Sequence, residues 1–366
     1  LIHCGQPQVG PQEAANVNAV LASGLLTRGD WCRRFARRLA DKLGDVSVEP
    51  VSSGTTALHL ALMALGVGPG DEVIVPATTY VATGNAVLYC GAKPVIVDVD
   101  RWTWTIDELS VELALTPRTR AVIPVHLYGV PAPRLNEMLA DHYRRTGRFV
   151  YVVEDCAEAL GAARHGVPVG TIGVDASAWS FYASKTITTG GEGGAVASRN
   201  WLTMSRARLL ATQAMSADRY YHDAVGWNYR MTEMQAAFGV AQLDRLGEFI
   251  EKRRQVFEWY DARLADRFMR QSCPQGYTHG RWAYAIRIDG TYRQSVQHSL
   301  EAAGVETRPV FPPLWSHPQF GEPSYDWETN ADDIHDDGLV LPTHCGLTEE
   351  DVDTVCKELI RAVEKA

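Results

Sequence analysis

The chain has 366 residues, 46% of them apolar and 22% charged, with a net charge of −9. That length accommodates two domains, or one large domain with a smaller one attached, in an ordinary globular composition. The acidic balance argues against nucleic acid as a partner, which needs a basic surface, and no apolar run approaches the roughly 20 residues of a membrane span.

Pro11 to Ala22 reads as a helix with Val17, Val20 and Leu21 on one face and Gly24 after its end. Asp30 is placed to cap the next helix, whose Trp31, Phe35, Leu39 and Leu43 recur every four residues. The basic run Arg33, Arg34, Arg37 and Arg38 reads as the solvated face of that helix. Strands and helices then alternate. A helix over Thr55–Leu65 stops at Gly66, Glu72–Val75 is a buried strand, and a helix covers Tyr80–Tyr89. Strands follow at Val95–Val97, Ala121–Val125 and Phe149–Val153, with a helix after Pro133. Short apolar strands between helices predict a mostly parallel central sheet with helices on both faces.

The pattern changes after Thr232, where a long helical stretch runs to about Phe268. A strand at Trp282–Ile288, a helix near Ser295–Ala303, a Pro-rich segment at Arg308–Pro318 and a last helix from Glu349 predict a smaller α+β domain. The expected division is 1–245 for a large domain and 246–366 for the small one. The acidic run Asp332, Asp333, Asp336 and Asp337 around His335 reads as a solvated surface rather than a metal site. Seven cysteines, odd in number and without a C-x-x-C pair, predict free thiols in a reducing cytoplasm. The opening residues do not resemble a signal peptide.

The chain has no Gly-Lys dipeptide, hence no P-loop, and no G-x-G-x-x-G fingerprint. The histidines show no ligand spacing, so no metal is expected. Four features remain. Ser52-Ser53-Gly54-Thr55-Thr56 opens an apolar helix, either as a phosphate-binding N-terminus or as an ordinary cap. Asp155 follows an apolar strand, where a carboxylate is costly to bury unless it meets a cation. Lys185 is the one lysine among six that has an apolar strand before it and a Gly-rich turn after it. Gly226-Trp227-Asn228-Tyr229-Arg230 offers an amide and a guanidinium to anionic groups, or is simply a capped loop. A phosphate cradle, a carboxylate for a ring nitrogen and a lysine for an aldehyde together match pyridoxal 5′-phosphate. Tyr80, after the strand ending at Val75, is either a ring that stacks on that cofactor or a core aromatic.

At segments 52–83, 91–100, 116–129, 153–162, 180–194 and 226–243 the chain resembles the DegT/DnrJ/EryC1 family of sugar aminotransferases. The resemblance covers nearly the whole sequence. It implies an α/β fold of PLP-dependent transferase fold type I, aspartate aminotransferase-like. By the same resemblance Lys185 is the Schiff-base lysine and proton shuttle, and Asp155 is the partner of the pyridine nitrogen. Gly54, Thr55, Thr56 and Ser180 resemble the phosphate-binding residues, and Tyr80 the stacking ring. Glu158 stands where many members carry Gln beside the phenolic oxygen. Asn228 resembles the residue that reaches the phosphate from a neighbouring subunit, implying a homodimer with shared active sites. Arg230, His126, Tyr128, Arg308 and His317 are expected at the substrate. Segments 180–194, 219–231 and 306–320 look most like the perosamine-synthase group of that family. That likeness implies transfer of an amino group from glutamate to C-4 of a nucleotide-linked 4-keto-6-deoxy sugar. Aminotransfer at C-3, or to a cyclitol or aminoshikimate-type ketone, is the alternative, as is a non-catalytic member. Glu192 is expected near the cofactor or at a subunit interface.

Overall fold

The computed structural model describes residues 1–44, 46–218, 220–321 and 328–366. Its centre is a seven-stranded sheet of β1 (Ser47–Val51), β2 (Glu72–Pro76), β3 (Lys93–Val97), β4 (Thr119–Val122), β5 (Tyr151–Asp155), β6 (Ala176–Ser180) and β7 (Gly194–Ser198). The spatial order is β1-β7-β6-β5-β4-β2-β3, and only β7 runs against its neighbours. β2 and β7 are buried at every position, as a sheet covered on both faces requires. The two strands without an apolar run, β1 with Glu49-Pro50 and β7 with Gly and Ala, escape recognition by hydrophobicity. They form because both lie against the apolar helix Gly54–Ala64 and the helix Trp201–Ala211.

Three expectations change in detail. The helix Pro11–Ser23 buries Glu13, Asn16 and Val20 and leaves Leu21 exposed. Its inner face is polar because it has polar partners: Asn16 donates to the Ala237 carbonyl and Gln242 donates to Glu13. The helix Asp30–Leu43 is capped from outside, with Glu233 accepting from the backbone N–H of Trp31 at 2.8 Å, while Asp30 pairs with Arg33 and Arg34. Gly29 at that start is required, since a Cβ there would stand 2.5 Å from the Glu233 carboxylate. The single long helix is two, Glu233–Asp244 and Leu246–Leu264, broken at Arg245.

The C-terminal part has its own apolar core around Tyr260, Leu300, Leu341, Val355 and Leu359, beneath a four-stranded antiparallel sheet. It is also stitched to the first part: Tyr277–Thr278 pairs with Ala163–Arg164, and Ile2 bridges Val305. The acidic run is absorbed by protein partners. Asp332 caps its own helix and accepts from Trp315 Nε1, and Asp337 pairs with Arg287. All seven cysteines are free, and among the described residues no helix is long and apolar enough to cross a membrane.

Candidate active site

Strands β1, β2, β4, β5 and β6 all point their carboxyl ends to one side, and a cavity of about 340 Å³ opens there. Crevices at such ends are where open α/β sheets bind ligands. Gly54, Tyr80, Asp155, Glu158, Ser180 and Lys185 all contribute to its wall. They come from segments up to 131 residues apart in sequence, from Gly54 to Lys185.

Lys185 follows β6 in a tight turn closed by Gly190 and Gly191, both at positive φ. Its Nζ lies 3.0 Å from Glu158 Oε1 and 4.1 Å from the ring centroid of Trp282. The indole is itself pinned by a bond from its Nε1 to the Ser184 carbonyl at 3.0 Å. Glu158 is nearly buried, and its other oxygen accepts from the backbone N–H of Tyr128 at 2.8 Å. Burial pushes the Glu158 carboxyl above its ordinary range, against the pull of Lys185.

Asp155 ends β5. Its Oδ1 accepts from the backbone N–H of Ala157 at 3.1 Å and its Oδ2 from the Thr83 hydroxyl at 2.9 Å. Burial pushes this carboxyl up as well, although Ala157, Thr83 and Lys185 oppose it. The carboxylate is thus desolvated without a cation in direct contact, the state that a protonated ring nitrogen relieves.

The opposite wall is the first turn of the helix Gly54–Ala64, capped by Ser53. The leading N–H groups of a helix have no partners within it and suit a phosphate. Gly54 permits the approach to β6: a Cβ there would sit 2.8 Å from the Ser180 Cβ. Lysine, buried carboxylate and helix N-terminus with a serine hydroxyl are the three contacts that pyridoxal phosphate requires, so the residues present fit that group.

Other expected residues divide between the cavity and its surroundings. The Thr56 hydroxyl accepts from Ser53 N and donates to the Ser53 carbonyl, so it closes a capping box and does not line the cavity. His126 is fully buried on the far side of β5, with Nε2 3.1 Å from Glu154 Oε2. The expectation that it touches substrate is corrected, because it is walled off with Glu154 and Arg164. Tyr128 is also buried, its hydroxyl accepting from the Phe311 backbone N–H, so it supports the wall from behind. Arg308 does reach the cavity, beside Phe311, with Glu306 3.1 Å away. His317 lies outside the cavity, against Phe320. Asn228 and Arg230 lie outside the cavity of their own chain; Asn228 is exposed and Arg230 bridges Val51. Tyr80 is more than half exposed at the rim, tilted against Phe311. Glu192 lines the mouth.

Sequence reasoning missed Trp282, which stands 97 positions beyond Lys185 and left no local signal. It also missed Thr79 and Thr83, whose hydroxyls meet because the bend at Thr79 leads directly into the helix Ala82–Tyr89.

The profile of the DegT/DnrJ/EryC1/StrS aminotransferase family matches residues 7–360. The chain belongs to this family. A GDP-perosamine synthase from Caulobacter vibrioides is 42% identical over 338 residues, covering 90% of each chain. Among solved structures, an aminotransferase from Streptoalloteichus hindustanus superposes with a TM-score of 0.91 at 34% identity, covering 100% of this chain and 99% of that one. A protein from Streptococcus pneumoniae described as a sugar aminotransferase, in its PLP-form, superposes at 0.93 with 28% identity, covering 100% and 99%.

Proposed function

We propose that this aminotransferase moves an amino group from glutamate to the C-4 keto carbon of a nucleotide-linked 4-keto-6-deoxy sugar, with pyridoxal 5′-phosphate as cofactor. The observation that carries the reading is that Lys185, Asp155 and the N-terminus of the Gly54 helix line one cavity. The relatives named GDP-perosamine synthase support C-4 over the alternatives.

When bound, the cofactor supplies an aldehyde that carries the amino group and a ring that accepts the electron pair left at carbon. The chain's residues do the rest. Asp155 holds a proton at the ring nitrogen. Gly54, Thr55 and Ser180 hold the phosphate. Lys185 Nζ, once released, takes the proton from the donor Cα and returns one to the sugar carbon in the second half. Glu158 and Trp282 keep that amine in the cavity, and Arg308 offers a cation to the carboxylate or phosphate of an incoming substrate.

Asn228 and Arg230 would serve the cavity of a second copy, making the enzyme a homodimer. Exposed apolar side chains at Leu21, Leu25, Leu26 and Val225 support a covered face. The division into a cofactor-holding part, 1–245, and a part closing over it, 246–366, rests on Trp282, Arg308 and Phe311 reaching the cavity from the second. Free cysteines throughout suit the cytoplasm.

The test is a panel of keto-sugar nucleotides incubated with glutamate and read by mass spectrometry. A 4-amino-4,6-dideoxy product is expected, and a 3-amino product or none would overturn the assignment. Lys185→Ala should lower turnover by at least about 10⁴-fold while still binding pyridoxamine phosphate. Wild-type turnover in that variant would remove the lysine from the mechanism.

A further inference from the structure

The Asp155 carboxylate does not stand alone. Thr83, on the helix Ala82–Tyr89, is fully buried and sends its hydroxyl to Asp155 Oδ2 at 2.9 Å. Thr79, four residues earlier in the bend before that helix and in the cavity wall, lies 2.8 Å from the Thr83 hydroxyl. An ionised carboxylate only accepts hydrogen bonds, so the Thr83 proton must point at Asp155. That leaves the Thr83 oxygen as acceptor, and Thr79 must donate to it. The direction of both bonds is therefore set, and each hydroxyl dipole has its positive end toward the carboxylate. Such chains strengthen their last bond, and a charge-assisted bond in a buried site is the strongest kind available to a neutral side chain.

We propose that Thr79 and Thr83 form a directed hydroxyl relay that orients Asp155 and keeps it an acceptor for the cofactor's ring nitrogen. Both are positioning residues, acting on the cofactor through Asp155. The proposal rests on the pyridoxal phosphate reading given above. The other charged or titratable groups acting on Asp155 are Lys185, His126, Glu158 and Cys156: Lys185 and His126 favour its charged form, whereas burial and the neighbouring Glu158 carboxyl favour the neutral one. The Thr83 hydroxyl and the Ala157 backbone N–H are the two donors that offset burial at the carboxylate, and Thr79 acts on it through Thr83.

The probe is pyridoxamine 5′-phosphate, which cannot bond covalently to Lys185, titrated into the cofactor-free full chain across a pH series. Thr83→Val keeps the branched shape and removes the donor. It should weaken binding by roughly 10- to 100-fold and move the acidic limb of the affinity curve to higher pH. Thr83→Ser should restore both. Thr79→Val should shift the limb in the same direction by less, and it carries the test if Thr83→Val does not fold. Wild-type affinity and an unmoved limb in Thr83→Val would overturn the relay. So would a weakened affinity with an unmoved limb, which is a packing defect. If the wild-type chain does not bind the probe, it is the cofactor reading that fails.

Discussion

Glu154 and Asp155 are neighbours on one strand, both buried, and their surroundings are opposite. Alternation along β5 sends them to different faces of the sheet. Glu154 meets Arg164 at 2.6 Å, the Gly170 N–H at 2.5 Å and the His126 ring. Burial works against its charge, but His126 and Arg164 outweigh that and hold the carboxyl down at about 2. Burial holds the imidazole below its usual range, Ala132 donates to Nδ1, and Nε2 faces the Glu154 carboxylate. Asp155, one residue on, has two hydrogen-bond donors and no cation in contact, and Glu158 beside it shares the cavity. One face is a completed ion network that anchors the 154–170 loop. The other is left unfinished where a ligand enters. A buried carboxylate becomes a site when its neutralising partner is missing from the protein, and a brace when it is present.

Removing the carboxylate on each face separates the two roles. Asp155→Ala should cost at least about 10³-fold in turnover while leaving the cofactor-free fold as stable as the wild type or more so. Single-turnover rates and thermal unfolding measure the two, and a large loss of stability would erase the distinction between the faces. Arg164→Met should do the reverse. It strands Glu154 and should cost about 3–5 kcal/mol of stability, with pyridoxamine phosphate affinity of the folded protein unchanged. Denaturant unfolding with and without the ligand checks this.

The smallest effect is the sharpest in sign. Glu154 has a depressed folded pKa, so its contribution is present above the unfolded carboxylate range and fades as pH falls through about 2. Asp155 has a raised one, so its contribution is greatest below the unfolded range and is lost as pH rises through the folded value. In the cofactor-free chain, the stability difference between wild type and Glu154→Gln should therefore grow with pH over the acidic range. That between wild type and Asp155→Asn should shrink. Parallel slopes would contradict the comparison.

Much of this protein was readable from local pattern. Hydrophobic runs ending in Asp155 and Ser180, and a hydroxyl-rich helix start at Gly54, are properties of contiguous residues. Periodicity and capping report such properties directly. The lysine stood out because so few lysines compete with it. What local pattern does not carry is which face a residue meets. His126 is a histidine after a strand whether it faces a ligand or Glu154, and only the packing of β5 against the Arg164 loop put it on the closed side. Thr56 is likewise a hydroxyl at a helix start whether it holds a phosphate or its own cap. Trp282 over Lys185, Glu233 capping a helix 200 positions away and the Thr83 bond to Asp155 join segments with no sequence relation. Chemistry-bearing residue types are set residue by residue, whereas the partners that decide their protonation are set by long-range packing, which exists only once the chain has folded.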